Sequence, residues 1–124
     1  MLDTQLLFQQ LRREAITKYH IPGPLVDQAI ALNQNPYDVQ QARKDENGHP
    51  IYKPSLSTLI VRGQHGWYVV RSKSCSCETH DGICVHRIAA WIHREIIIRP
   101  LAEARGVAPS VIQAEWFEMK DGRQ

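Results

Sequence analysis

The 124-residue sequence predicts an α+β fold, in which a β-hairpin, a ligand-bearing loop and a helix form a small core with helical segments before and after it. Three observations predict this. Residues 56–62 and 67–72 are rich in β-branched and aromatic side chains and flank the connection Gly63-Gln-His-Gly66, the pattern of an antiparallel hairpin. All three cysteines of the chain then fall in one short stretch, Cys75-Ser-Cys77-Glu-Thr-His-Asp-Gly-Ile-Cys84-Val-His86. Apolar residues at helical spacing dominate both the segment before the hairpin and the segment after the cysteines.

Residues 1–50 read as an N-terminal helical segment. A first helix is predicted over 2–19, with Asp3 or Thr4 to cap its free N–H groups. Leu7, Leu11 and Ala15, flanked by Phe8 and Tyr19, make its apolar stripe, and Arg12, Arg13 and Lys18 lie on the other side. Ile21-Pro-Gly-Pro24 breaks that helix, and Pro24 opens a second one that runs to Leu32 through Leu25, Ala29 and Ile30. Asn33-Gln-Asn-Pro36 is a second break, and Pro36 opens a short third helix over 37–43. Residues 44–50 form a polar connector in which Asn47-Gly48 can close a hairpin.

Residues 51–99 form the central module. Alternation places Leu59 and Val61 on one face of the first strand, with Thr58, Ile60 and Arg62 on the other. The second strand runs into the cysteines through Arg71-Ser-Lys73. The helix after the cysteines covers 85–99. Ile88, Ala89, Ile92 and Ile96 form its apolar face with Trp91 at the edge; Arg87, Ala90 and Arg94 lie opposite, with His93 adjacent. Pro100 disfavours the α conformation at Arg99 and ends the helix.

Residues 100–124 form a C-terminal helical extension. Gly106 ends one short helix and Pro109 starts another. The pattern is similar to the turn of a helix-turn-helix, but the second helix leads into Glu115, Glu118 and Asp121, which phosphates would repel. Packing is therefore expected there rather than DNA reading.

The cysteine stretch has the spacing C-x-C, six residues, C-x-H. Thiolates with an imidazole are a preferred tetrahedral ligand set for Zn²⁺, and a site closed by protein ligands is structural. One zinc per chain is expected, on Cys75, Cys77, Cys84 and His86. In an extended chain Cys75 and Cys77 point to the same side, while Cys84 and His86 open a helix whose positive end favours thiolate. The formal charge of −1 at such a site can be offset by Arg71, Lys73 or Arg87. His80 lies inside the insert as a rival ligand, but the two pairs already fill the coordination sphere. His93 is about 10 Å along the helix from His86, too far to share its ion, and reads as a polar surface residue or a phosphate contact. Hairpin and helix alone bury few apolar residues, so zinc removal is expected to unfold 55–98 first.

At these residues the chain resembles the SWIM zinc fingers, whose C-x-C and C-x-H pairs follow a β-hairpin and precede a helix. The resemblance covers 55–98 and rests on C-S-C, on C-V-H entering Arg87-Ile-Ala-Ala-Trp-Ile92, and on the upstream W-Y-V-V strand. It implies a zinc module that binds DNA, proteins or both, and it implies no activity. Modules of this kind accompany transposases, chromatin-type helicases and recombination mediators. A larger protein partner of that type is expected to act in trans.

Charge agrees with a nucleic-acid partner. Residues 43–99 hold nine basic and five acidic side chains, net +4, whereas each flanking segment is net −1. Arg62, Arg71, Lys73, Arg87 and Arg94 are the expected phosphate contacts. The alternative is an adaptor that docks a protein through the apolar excess of Ile97, Ile98, Trp116 and Phe117. Phosphate-loop, H-E-x-x-H and G-x-S-x-G motifs are absent, so neither an enzyme nor a small-molecule substrate is expected. Clustered cysteines, no signal-peptide pattern and no long apolar run point to an intracellular protein with no membrane partner.

Overall fold

The computed structural model describes residues 4–35, 37–44, 47, 49–50, 56–63, 66–77, 83–113 and 116–117. The order of elements is α1 (Thr4–Thr17), α2 (Gly23–Asn33), β1 (Val39–Gln41), β2 (Leu59–Gly63), β3 (Gly66–Arg71), β4 (Ser74–Cys75), α3 (Val85–Arg105) and α4 (Pro109–Ile112). The strands form one antiparallel sheet in the order β1-β2-β3-β4, flanked by helices, so the fold is α+β as predicted. No helix of the described residues is long and apolar enough to cross a membrane.

The expected stripe of α1 is buried at Leu7, Phe8, Leu11 and Ala15. Beyond the end of α1 at Thr17, the left-handed φ of 57° at His20 turns the chain, and the Ile21 N–H donates to the Ala15 carbonyl at 2.9 Å. Pro24 sits in the first turn of α2, where its missing N–H costs nothing. On the outside, Arg12 and Asp27 tie α1 to α2 at 2.7 Å in an exposed pair.

The expected third helix is a strand. Val39, Gln40 and Gln41 pair with Val61, Ile60 and Leu59. The Arg62 N–H donates to the Asp38 carbonyl and the Ala42 N–H to the Thr58 carbonyl, extending the ladder at both ends. Burial of Val39 and Ala42 against the core outweighs the weak helical pattern of this segment. Beyond it, Lys44 and Pro50 form an antiparallel bridge with Asn47 in a turn between them; Gly48, the other half of the expected hairpin turn, lies outside the described residues.

The helix expected to stop at Arg99 instead continues through Pro100 to Arg105. Pro100 forfeits a hydrogen bond, but Ile98 and Ala102 on either side of it are fully buried. Arg99, directly before the proline, is also fixed, donating to Glu14 at 2.9 Å and to Glu95 at 3.2 Å. The true end is Gly106, left-handed at φ 67°, whose N–H reaches the Ala102 and Glu103 carbonyls.

One hydrophobic cluster joins all these parts. It runs from Leu7, Leu11 and Tyr19 through Val26 and Ala29 to Leu59, Val61 and Val70. It then takes in Ile88, Trp91 and Ile92 of α3 and ends on Trp116 and Phe117. The predicted alternation of β2 holds, with Leu59 and Val61 facing α3.

Candidate metal centre

Two elements bring the ligands together. β3 turns through Ser72-Lys73 into β4, with Val70 opposite Cys75 and Arg71 opposite Ser74. Ser76 pins the C-S-C segment to β3 twice: its N–H donates to the Val69 carbonyl at 3.0 Å, and its Oγ accepts the Val69 N–H at 2.9 Å. This holds Cys75 at a fixed height above the strand. From the other side, Cys84 is the extended N-cap residue of α3 and His86 stands in the first turn.

The ligand atoms of Cys75, Cys77, Cys84 and His86 all lie within 4.8 Å of one another. Cys75 Sγ is 3.7 Å from His86 Nδ1. Zinc–ligand bonds of tetrahedral length require sulfur–nitrogen edges of about 3.6 Å and sulfur–sulfur edges of about 3.8 Å. The donor set therefore fits a tetrahedral ion of zinc size, and its softness suits zinc.

His86 is oriented by its neighbours. Its ring lies against Tyr68, centroids 4.5 Å apart and tilted by 38°. Nδ1 faces the thiols, and Nε2 faces Gly63: a Cβ built there would come within 3.2 Å of Nε2 and would overlap the Tyr68 ring. Gly63 is thus the residue that lets Tyr68 lie against the imidazole. Neither Gly63 nor Tyr68 stands out in the sequence as part of the site. The pairing of two glycines across the hairpin end is the signal for a close approach there.

Without metal the cluster shares protons unequally. A hydrogen bond with Cys75 holds Cys84 far below the usual thiol range against the opposing effect of burial, and His86 lowers it further. The same bond, with burial, pushes Cys75 up. His86 is raised above its ordinary value, first by its hydrogen bond to the Cys84 thiolate. Below about pH 6.5, Cys75 and His86 therefore both hold protons that a metal ion must displace. Zinc affinity is expected to rise with pH there by at least about a hundredfold per unit, these two protons leaving per ion in addition to any carried by Cys77. Competition against a chromophoric chelator across the acid range measures this; a slope below one proton per ion would contradict it.

The other expected site residues divide sharply. Arg62, Arg71 and Lys73 are exposed on the sheet and the β3–β4 turn. Arg94 is not available to phosphates: it is 2% exposed, with its guanidinium 5.5 Å from the Trp116 ring centroid. Arg87 is half-buried, donates to the Ser72 carbonyl and lies over the Phe117 ring. The reason is common to both. The side of α3 read as solvent-facing is covered by residues 116–117, and Trp116 Nε1–H donates to the Arg87 carbonyl at 3.1 Å.

The expected partner surface is consumed in the same way. Ile98, Trp116 and Phe117 are buried within the chain, and Ile97 lines a small cavity of about 220 Å³ with Phe8 and Val39. His93 is partly buried and lines that cavity too, and burial lowers its pKa, which disfavours the charged form that a phosphate contact would use. His80 lies outside the described residues. In comparisons with known proteins, no family model, no curated protein and no solved structure matches this chain.

Proposed function

We propose that the chain is a SWIM-type zinc module that binds nucleic acid, DNA foremost, through backbone phosphates, as an accessory to a larger DNA-processing enzyme. The observation that carries this reading is the exposure of Arg62, Arg71 and Lys73 on the hairpin and turn that hold the ligand cluster. Zinc bound by Cys75, Cys77, Cys84 and His86 would fix that turn against α3, and with it the spacing of the cations. Four protein ligands leave no open coordination position, which suits a binding role rather than catalysis. The resemblance to SWIM modules in spacing and flanking elements supports the family reading.

The adaptor reading loses its support, because Ile98, Trp116 and Phe117 are occupied inside the molecule.

Affinity for a non-specific DNA duplex, measured over a salt series, tests the proposal. Each phosphate contact contributes about 0.9 to the slope of log affinity against log salt. The double change Arg62→Ala and Arg71→Ala is expected to shallow that slope by about two units without loss of stability. A wild-type chain that binds no DNA at low salt would remove the reading, and a double variant with the wild-type slope would remove these contacts from it.

A further inference from the structure

α3 covers one face of the sheet, through Leu59, Val61 and Val70. The register assigns the residues of the other. Arg62 lies directly opposite Trp67, Ile60 opposite Val69, and Arg71 opposite Ser74. Cross-strand partners share a face, so an indole stands on this outer surface with a guanidinium across from it and another four residues further along its own strand. At strand spacing Trp67 and Arg71 are about 13 Å apart along the chain.

Trp67 stands outside the hydrophobic cluster of the described residues. It is 47% exposed, whereas Trp91 and Trp116 are 1% and 4% exposed. Leaving so much indole in water is unfavourable, and the ring is flanked by Ile60 and Val69, which are themselves only partly covered. Among the described residues of the four strands, no outward position carries a carboxylate. Asp38, just before β1, stands 3.8 Å from Arg62 Nη1 and leaves the Arg62 side chain 65% exposed.

We infer that this outer sheet face binds single-stranded DNA, with bases stacking on Trp67 and neighbouring phosphates meeting Arg62 and Arg71. The inference rests on the nucleic-acid reading above and specifies its substrate. Two physical arguments favour a single strand over a duplex. An indole lying on a surface needs the face of a base, and a duplex offers only base edges in its grooves. The sheet is also too wide to enter a groove: its strand axes alone span about 14 Å, against a major groove of about 12 Å.

Fluorescence anisotropy with a labelled oligothymidylate, and with a labelled duplex as the second arm, tests this on the full-length zinc-bearing chain. Wild type is expected to bind the single strand more tightly. Trp67→Ala should lose roughly tenfold on the single strand, with the salt slope and the duplex affinity unchanged, and Trp67→Phe should recover most of the loss. Trp67 is the exposed indole, so saturating oligothymidylate should also quench intrinsic fluorescence in wild type and not in Trp67→Ala. A Trp67→Ala chain that binds the single strand as wild type does, or a wild-type preference for duplex, overturns the stacking inference while DNA binding itself stands. Absence of binding to either probe at low salt overturns both.

Discussion

A Cys84→Ser chain is expected to purify with far less than one zinc per molecule, whereas the wild type is expected to carry one. Cys84 is the most buried of the three cysteines and the N-cap residue of α3, so it joins the helix to the ligand cluster directly. A serine hydroxyl cannot supply the thiolate that zinc prefers. Structural zinc in small modules is worth about 10–16 kcal/mol of binding free energy, which acts as folding free energy. Here the loss should be local first. The metal ties the Cys75–Cys77 segment to the first turn of α3, and further along that helix Trp91 and Ile92 remain seated in the cluster with α1 and α2. Hydrogen exchange should therefore quicken at 74–77 and in the first turn of α3, with Ile92 protected. Elemental analysis of the purified variant decides the ligand assignment: a full zinc equivalent in Cys84→Ser would end it. Equal loss of protection at Ile92 would mean that the metal, not the core, holds α3.

That expectation is narrower than the one the sequence supports, and the cause lies in long-range contacts. The sequence shows the ligands because their signal is local: residue type and spacing suffice, and no distant contact changes them. The hairpin is equally legible, since alternation at Leu59 and Val61 and the glycines at both ends of the connection are local too. The hidden features are set by contacts far apart in the chain. The polar side of α3 reads as a solvated face, yet Trp116 and Phe117 return from beyond Gly106 to cover Arg87 and Arg94. Aromatic rings accept guanidinium groups on their faces, so an arginine stripe does not by itself mark a surface. Val39–Gln41 reads as a weak helix because its partner strand lies some twenty residues later in the sequence. Pro100 reads as a stop because a contact that anchors the helix beside it, from Arg99 to Glu14, reaches back to α1. Zinc removal threatens the whole of 55–98 on a sequence reading for the same reason: much of the apolar surface anchoring α3 comes from residues outside that span.

The second large effect tests that shared core. Trp91 is 1% exposed and stands at the junction of three parts of the chain. Its ring meets Tyr19, just after α1, edge-on at 5.8 Å, and meets Phe117 at 5.6 Å. Tyr19 and Phe117 close the triangle at 5.2 Å. Trp91→Ala removes the common member, leaving a cavity lined by rings too large to collapse into it. Aromatic-to-alanine changes in cores cost about 3–5 kcal/mol, and the lost edge contacts place this site at the upper end, near about 5 kcal/mol. Against a total stability of about 5–15 kcal/mol for a domain, such a loss leaves the chain marginal or unfolded at room temperature. Trp67→Ala, on the exposed sheet face, should change stability by no more than about 0.5 kcal/mol. Urea titration of both variants, followed by circular dichroism at helix and near-ultraviolet wavelengths, separates the two. Because Trp91 touches the N-terminal helices and the C-terminal segment alike, both probes should fall together in one transition at lower urea. A Trp91→Ala chain destabilised by less than about 1 kcal/mol would contradict the placement of this ring at the centre of the core. Separate transitions for helix content and tertiary signal would show instead that the N-terminal helices fold without it.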